Sequence, residues 1–151
     1  MRHKIYVQRA RRGLGRPETA ALVKKAAAAV LAAEGVDEPC EIGVTLTDDG
    51  GIRAVNRETR DVDAATDVLS FPIDEPDLDT GCRYLGDMVL SLERAAAQAE
   101  EYGGGYAHEI QYLTVHSVLH LLGYDHLDEG KEKARMRAGE KAVMKELGYD
   151  F

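Results

Sequence analysis

Residues 116–126 constrain the fold more than any other part of this sequence, because three histidines stand in an otherwise apolar stretch, HSVLHLLGYDH. Residues four apart lie on one face of a helix, so His116 and His120 can point their imidazoles at a common ion. Gly123 can adopt a left-handed conformation that ends the helix, and the following turn can bring His126 back to the same point. The stretch therefore predicts a helix that carries metal ligands.

The number and type of these ligands indicate a catalytic metal site. Three imidazoles with one open coordination position are the ligand set of catalytic zinc, whereas a structural zinc site is closed by four protein ligands. The alternative is three unrelated core histidines, but imidazoles buried without a ligand or partner would be costly. We expect one Zn²⁺ per chain, although three histidines also suit nickel, copper or iron.

The same spacing, HxxxHxxGxxH, occurs in metzincin proteases, which carry a glutamate directly after the first histidine as general base. This chain has Ser117 at that position. A serine cannot take a proton from an activated water near neutral pH, so peptide hydrolysis by that mechanism is disfavoured. A protease-like or other metal hydrolase stays an alternative.

Hydrophobic periodicity and turn residues predict four strands and five helices in mixed order. The predicted strands are residues 3–8, 41–47, 68–71 and 88–90, and the predicted helices are 17–34, 52–59, 92–102, 106–122 and 128–147. Turns or loops are expected at 48–51 and 74–82. This order favours an α+β fold, with the helices packed on a small mixed four-stranded sheet around the central metal-bearing helix. No linker is evident, so residues 1–151 are expected to form a single domain.

Composition limits the compartment and the partners. No window approaches the roughly 20 apolar residues of a membrane span, and the first residues lack the apolar block of a signal peptide. Cys40 and Cys82 show no CxxC spacing and are expected to be reduced thiols, so we expect a cytoplasmic protein. The net charge of −8 argues against coating of nucleic acid by bulk electrostatics, but an enzyme needs only a positive cleft.

Several motifs, in consistent order, resemble those of one family. Residues 66–72 read TDVLSFP and residues 85–91 read LGDMVLS. Together with residues 116–126, they are similar to the TDVLSFP, LGDIVIS and HGxLHLxGYDH segments of the YbeY family of ribosomal-RNA endoribonucleases. Asn56 and Arg60 stand at the distance before TDVLSFP at which that family has an asparagine and a functionally important arginine. The resemblance runs from about residue 40 to 147.

The resemblance implies a metal-dependent, single-strand-specific endoribonuclease that acts in maturation of small-subunit ribosomal RNA and in ribosome quality control. The implied partners are single-stranded ribosomal RNA and the small ribosomal subunit, with no membrane and no DNA expected. An alternative of another class is a ribosome-assembly factor whose metal is structural and whose nuclease activity is weak or absent.

Individual residues can be given roles on this basis. Besides the metal ion, a second positive group is needed for the charge that builds on the phosphate oxygens. Arg60 is predicted to be this group, because guanidinium binds phosphate through two parallel hydrogen bonds. Asp125 is predicted either to act as the base or to orient His126. Arg57 and Ser70 are predicted to bind substrate.

Glu140 stands out on the last predicted helix, where Met136 and Glu140 together resemble the M-xxx-E pattern of the family. It shares a helical stripe with Met136, Val143 and Leu147, so a carboxylate falls on an otherwise apolar face. Such a group needs a partner, and we expect either an imidazole N–H of the metal site or an arginine.

The sequence departs from the family pattern in two places. Ser117 stands where the family usually has glycine. Val62, Ala64 and Ala65 stand where many members carry lysine and proline, which weakens the positive charge expected around the cleft.

Overall fold

The computed structural model describes residues 2–124 and 130–150. Along these ranges the elements are β1 (Lys4–Arg9), α1 (Thr19–Ala33), β2 (Cys40–Thr47), α2 (Asp49–Arg60), β3 (Val68–Pro76), β4 (Arg83–Ser91), α3 (Leu92–Tyr102), α4 (Tyr106–Leu121) and α5 (Lys131–Glu146). The prediction of an α+β fold with four strands and five helices is confirmed. Within the described part of the chain, no helix is both long and apolar enough to cross a bilayer.

The strands form one mixed sheet in the order β1-β2-β4-β3. β1 pairs in parallel with β2, and β2 pairs in parallel with β4. β3 is antiparallel to β4 and forms one edge of the sheet. The start of β3 therefore lies next to the end of β4, beside the helix that carries the histidines.

Alternating side chains of the sheet divide the apolar interior into two parts. Ile42, Val44 and Leu46 of β2 belong to the main core, together with buried residues of α1, α4 and α5. On β3, Leu69 belongs instead to a small cluster with Ile52 of α2 and one residue of β4, so α2 lies apart from the main helical layer. α4 is central, because it packs against α1, α3, α5, β3 and β4.

The start of α2 differs from the sequence prediction. We expected a turn over residues 48–51, but the helix begins at Asp49. Asp48 is the N-cap, and its carboxylate accepts the Gly51 N–H at 2.9 Å. This cap satisfies a backbone donor that the first turn leaves unpaired, which allows two glycines inside that turn.

The predicted end of β3 was also wrong. The strand was expected to stop before Pro72, but it runs through this proline. β3 continues to Pro76, and its pairing with β4 shifts register between Pro72 and Glu75. Proline is tolerated here because β3 is an edge strand and the ladder is already irregular at this point.

Gly86 gives a direct test of how closely β3 and β4 approach each other. Its φ is +151°, and a Cβ at this position would lie 2.3 Å from the Phe71 carbonyl oxygen. We predict that Gly86→Ala lowers the free energy of unfolding by about 3 kcal/mol, from strain and forced displacement of backbone.

Gly139→Ala is the matched control. Gly139 lies inside helix α5, and a Cβ there would make ordinary contacts of 3.6–3.7 Å with the Leu119 side chain of α4. That substitution should be neutral or stabilising. Urea unfolding of both variants measures the difference, and equal stability of Gly86→Ala and wild type would contradict the strand geometry.

Candidate active site

A cleft of about 490 Å³ opens beside the second half of α4, the first residues of β3 and the end of α2. Its walls consist of Arg60, Asp67, Val68, Leu69, Ser70, Pro72, His116, His120, Gly123 and Tyr124. Three separate elements thus bring together four of the polar groups that sequence analysis singled out, Arg60, Ser70, His116 and His120. Such a concave site with convergent polar side chains is where a ligand is expected to bind.

His116 and His120 face each other across one turn of α4. Their Nε2 atoms are 3.2 Å apart, and their Nδ1 atoms make hydrogen bonds on the outer sides. His120 Nδ1 donates to the Tyr124 carbonyl oxygen at 2.8 Å. Because a carbonyl oxygen can only accept, this bond places the His120 proton on Nδ1 and leaves a lone pair on Nε2.

Glu140 of α5 holds the other imidazole. Its Oε2 lies 2.6 Å from His116 Nδ1, and its Oε1 accepts from the Tyr112 hydroxyl at 3.2 Å. Glu140 is only 3% exposed, on the same helix as buried Met136 and Val143. Burial, and then the nearby Glu140 charge, raise the pKa of the Tyr112 phenol, so this hydroxyl stays a donor. Both carboxylate oxygens therefore have partners.

The separation of the two Nε2 atoms suits a shared metal ion. For nitrogens each about 2.05 Å from zinc, a spacing of 3.2 Å corresponds to an angle of about 103° at the ion, close to tetrahedral. Within the described ranges, no group of three or more His, Cys, Asp or Glu side chains forms a metal site. The predicted third ligand, His126, and the predicted base, Asp125, lie outside the described residues.

The cleft wall opposite the histidines depends on the turn that follows α2. Arg60 is the last residue of that helix and lines the cleft. Asp61 then takes a left-handed conformation, and the Asn56 side chain donates to the Ala64 carbonyl oxygen at 3.0 Å. These contacts fix the path of the chain from Arg60 to the start of β3, where Asp67 lies.

The carboxyl groups of Asp67 and Glu109 lie close enough to influence each other. The Asp67 carboxylate accepts the Val68 N–H at 2.7 Å. Glu109, one of the buried residues of α4, has a raised pKa, chiefly from burial and further from the charge of Asp67.

The predicted substrate-binding residues have different positions. Ser70 lines the cleft, and its hydroxyl lies 2.7 Å from the hydroxyl of Ser117. Arg57 is exposed on α2 and is not among the residues that line the cleft.

Sequence reasoning assigned no role to Asp67 or Tyr112. The signal for Tyr112 was available, because it stands four residues before His116 and therefore shares its helix face.

Comparison with known proteins gives consistent results. The model of the Endoribonuclease YbeY family matches residues 5–148. The Endoribonuclease YbeY of Chloroflexus aurantiacus is 52% identical over 132 residues, covering 84% of this chain and 86% of that protein. The protein of the same name from Desulfitobacterium hafniense is 50% identical and covers 74% of this chain and 74% of that protein. The one from Roseiflexus sp. is 44% identical and covers 85% of this chain and 83% of that protein.

A solved structure agrees at the level of the fold. The solution structure of a Thermotoga maritima protein, TM1509, superposes with a TM-score of 0.60 and covers 95% of this chain and 91% of that one, at 24% identity. Given the family match over nearly the whole chain and relatives above 40% identity, this chain belongs to the YbeY endoribonuclease family.

Proposed function

We propose that this protein is a metal-dependent endoribonuclease that cuts single-stranded ribosomal RNA of the small subunit during maturation and quality control. Family membership supports hydrolytic cleavage of RNA. The observation that carries the metal dependence is the facing pair of Nε2 atoms, 3.2 Å apart at the cleft wall. We further propose one Zn²⁺ held by His116, His120 and His126.

When bound, such an ion supplies Lewis acidity, which polarises a phosphoryl oxygen and lowers the pKa of bound water to about 7. The chain's own residues prepare the site for this chemistry. Glu140 and the Tyr124 carbonyl oxygen fix the ring orientation and tautomer of the two imidazoles. Without these partners, each ring could rotate and present either nitrogen to the cleft.

Arg60 is proposed to bind the phosphate that is cut. It lines the cleft on the side of α2, whereas the histidines line it on the side of α4. A guanidinium can make two hydrogen bonds to non-bridging phosphate oxygens and offset the negative charge that builds there in the transition state. Arg57, exposed on the same helix, is proposed to contact the RNA outside the cleft.

A carboxylate is proposed to accept the proton of the attacking water. One candidate for this base is Asp125, which is adjacent to His126 in sequence. Asp67 is the carboxylate that lines the cleft among the described residues. Comparing Asp125→Asn with Asp67→Asn in the pH dependence of kcat would separate the two.

The first test of the function measures cleavage and metal content together. Wild-type protein of known metal content should cut a single-stranded fragment of small-subunit ribosomal RNA, lose this activity after chelation, and regain it when Zn²⁺ is added. His120→Ala should lose both metal and activity. Arg60→Glu should keep the metal but lose about a hundredfold to a thousandfold in kcat, because it removes a preorganised donor.

Arg12→Glu is the control for charge, because it makes the same change at an exposed position in the β1–α1 connection. It should retain most of the activity. Wild-type protein that binds the small subunit but cuts no RNA, with or without metal, would instead support an assembly factor with a structural ion.

A second test concerns the partner of His116. Glu140→Gln keeps the shape of the side chain but removes the negative charge that faces His116 Nδ1, so metal affinity should fall about tenfold to a hundredfold. Tyr112→Phe, which removes one hydrogen bond to Glu140, should have a smaller effect in the same direction.

Competition with a chromogenic chelator measures these affinities. Glu146→Gln makes the same chemical change on an exposed position of α5 and should leave metal affinity at the wild-type value. Unchanged affinity in Glu140→Gln would show that the carboxylate only fills space in the core.

A further inference from the structure

We propose that Ser117 is a positioning residue that orients the hydroxyl of Ser70 toward a phosphate oxygen of the RNA. The inference rests on the proposed function and deepens it, because it assigns a specific hydrogen-bond donor to the substrate side of the cleft. The observation behind it is the 2.7 Å contact between the two hydroxyl oxygens, one on α4 and one on β3.

The two hydroxyls differ in their access to solvent. Ser117 is fully buried between its helix and the sheet, whereas Ser70 is half-buried and lines the cleft. A buried hydroxyl has to donate its hydrogen to a protein acceptor. Ser70 is the acceptor within reach that also faces the place where substrate would lie.

A second buried hydroxyl on α4 shows the other way of satisfying such a donor. Thr114 donates to the Ile110 carbonyl oxygen of its own helix at 2.8 Å, which is the usual local solution for this side chain. The Ser117 hydroxyl instead pairs with another element of the fold. Its hydrogen bond therefore reaches the cleft, and that of Thr114 does not.

The order of donors follows from the charge of the ligand. A phosphodiester oxygen can only accept, so Ser70 donates to it, and the Ser70 oxygen is then free to accept from Ser117. The two bonds polarise each other in the same direction, from the buried helix toward the anion. Removing the Ser117 hydroxyl leaves Ser70 in place but lets its hydrogen rotate away from the phosphate.

A double-mutant cycle tests this dependence. Single-strand cleavage is measured for wild type, Ser70→Ala, Ser117→Ala and the double variant, and binding of the same RNA is measured after chelation, which is expected to stop cleavage. Loss of a hydrogen bond to a charged group predicts a roughly tenfold to hundredfold loss of kcat/KM in Ser70→Ala. Ser117→Ala should lose about threefold to tenfold, and should have no further effect when Ser70 is already alanine.

Metal content and thermal stability distinguish a positioning role of Ser117 from a purely structural one. Ser117→Ala should bind as much metal as wild type and unfold at nearly the same temperature. Thr114→Val serves as control for a change inside α4, and should leave kcat/KM unchanged. If Ser117→Ala is unstable, Ser117→Cys keeps most of the volume, supplies only a weak donor, and should give the same kinetic loss.

The outcomes distinguish the inference from the proposed function. The positioning role would be overturned if Ser117→Ala lowered kcat/KM equally in wild type and in Ser70→Ala, or if Ser117→Ala lost metal. Neither result would contradict RNA cleavage by the wild-type protein. Wild-type protein that neither cuts nor binds single-stranded RNA would overturn the proposed function, and the inference with it.

Discussion

The hydrogen bonds on the outer nitrogens of His116 and His120 determine what the cleft can do. An imidazole on a helix can rotate about two torsions and can carry its proton on either nitrogen. The Tyr124 carbonyl oxygen settles both properties for one ring, and Glu140 holds the other ring from α5. Because both outer nitrogens are used in this way, the two inner nitrogens face each other at a spacing that suits a common cation.

The surrounding fold makes these bonds possible by placing α4 at its centre. α5 lies against α4, so a carboxylate that is almost fully buried can face an imidazole instead of water. On the other side of α4, β3 brings Ser70 to the cleft, and the turn after α2 brings Arg60. Each group comes from a different element, so rigid packing of those elements keeps the polar groups in register.

Much of this arrangement could be predicted from the sequence, and the failures have physical causes. Four-residue spacing in an apolar stretch was enough to identify the helix face with two imidazoles, and the apolar stripe around Glu140 indicated that its carboxylate would need a buried partner. The extension of β3 beyond Pro72 was missed because it depends on the strand lying at the sheet edge, which is a property of the tertiary structure. The helical first turn of α2 was missed because two adjacent glycines normally indicate a turn, and the Asp48 cap outweighs that tendency here.

Other parts of the site could not be read from one sequence in principle. A substitution such as serine at position 117 looks neutral until the facing strand is known, because its effect depends on which hydroxyl lies opposite. The same applies to Asp67, which the sequence shows only as a polar residue before a strand. Periodicity gives the face of an element, but the pairing of faces between elements distant in sequence is set by the packed fold.

The acidic character of the chain is consistent with a site that binds RNA through a few directed contacts. With a net charge of −8, the surface as a whole repels a polyanion. Within α2, Arg53 is paired with Asp63, while Arg60 lines the cleft. Under the proposed function, attraction comes from the cleft itself, through the Arg60 guanidinium, the hydroxyl of Ser70 and the proposed metal ion. Short-range contacts of this kind would favour a flexible single strand that can enter the cleft over a rigid duplex, whose phosphates lie along a broad surface, which is why the proposed substrate is single-stranded.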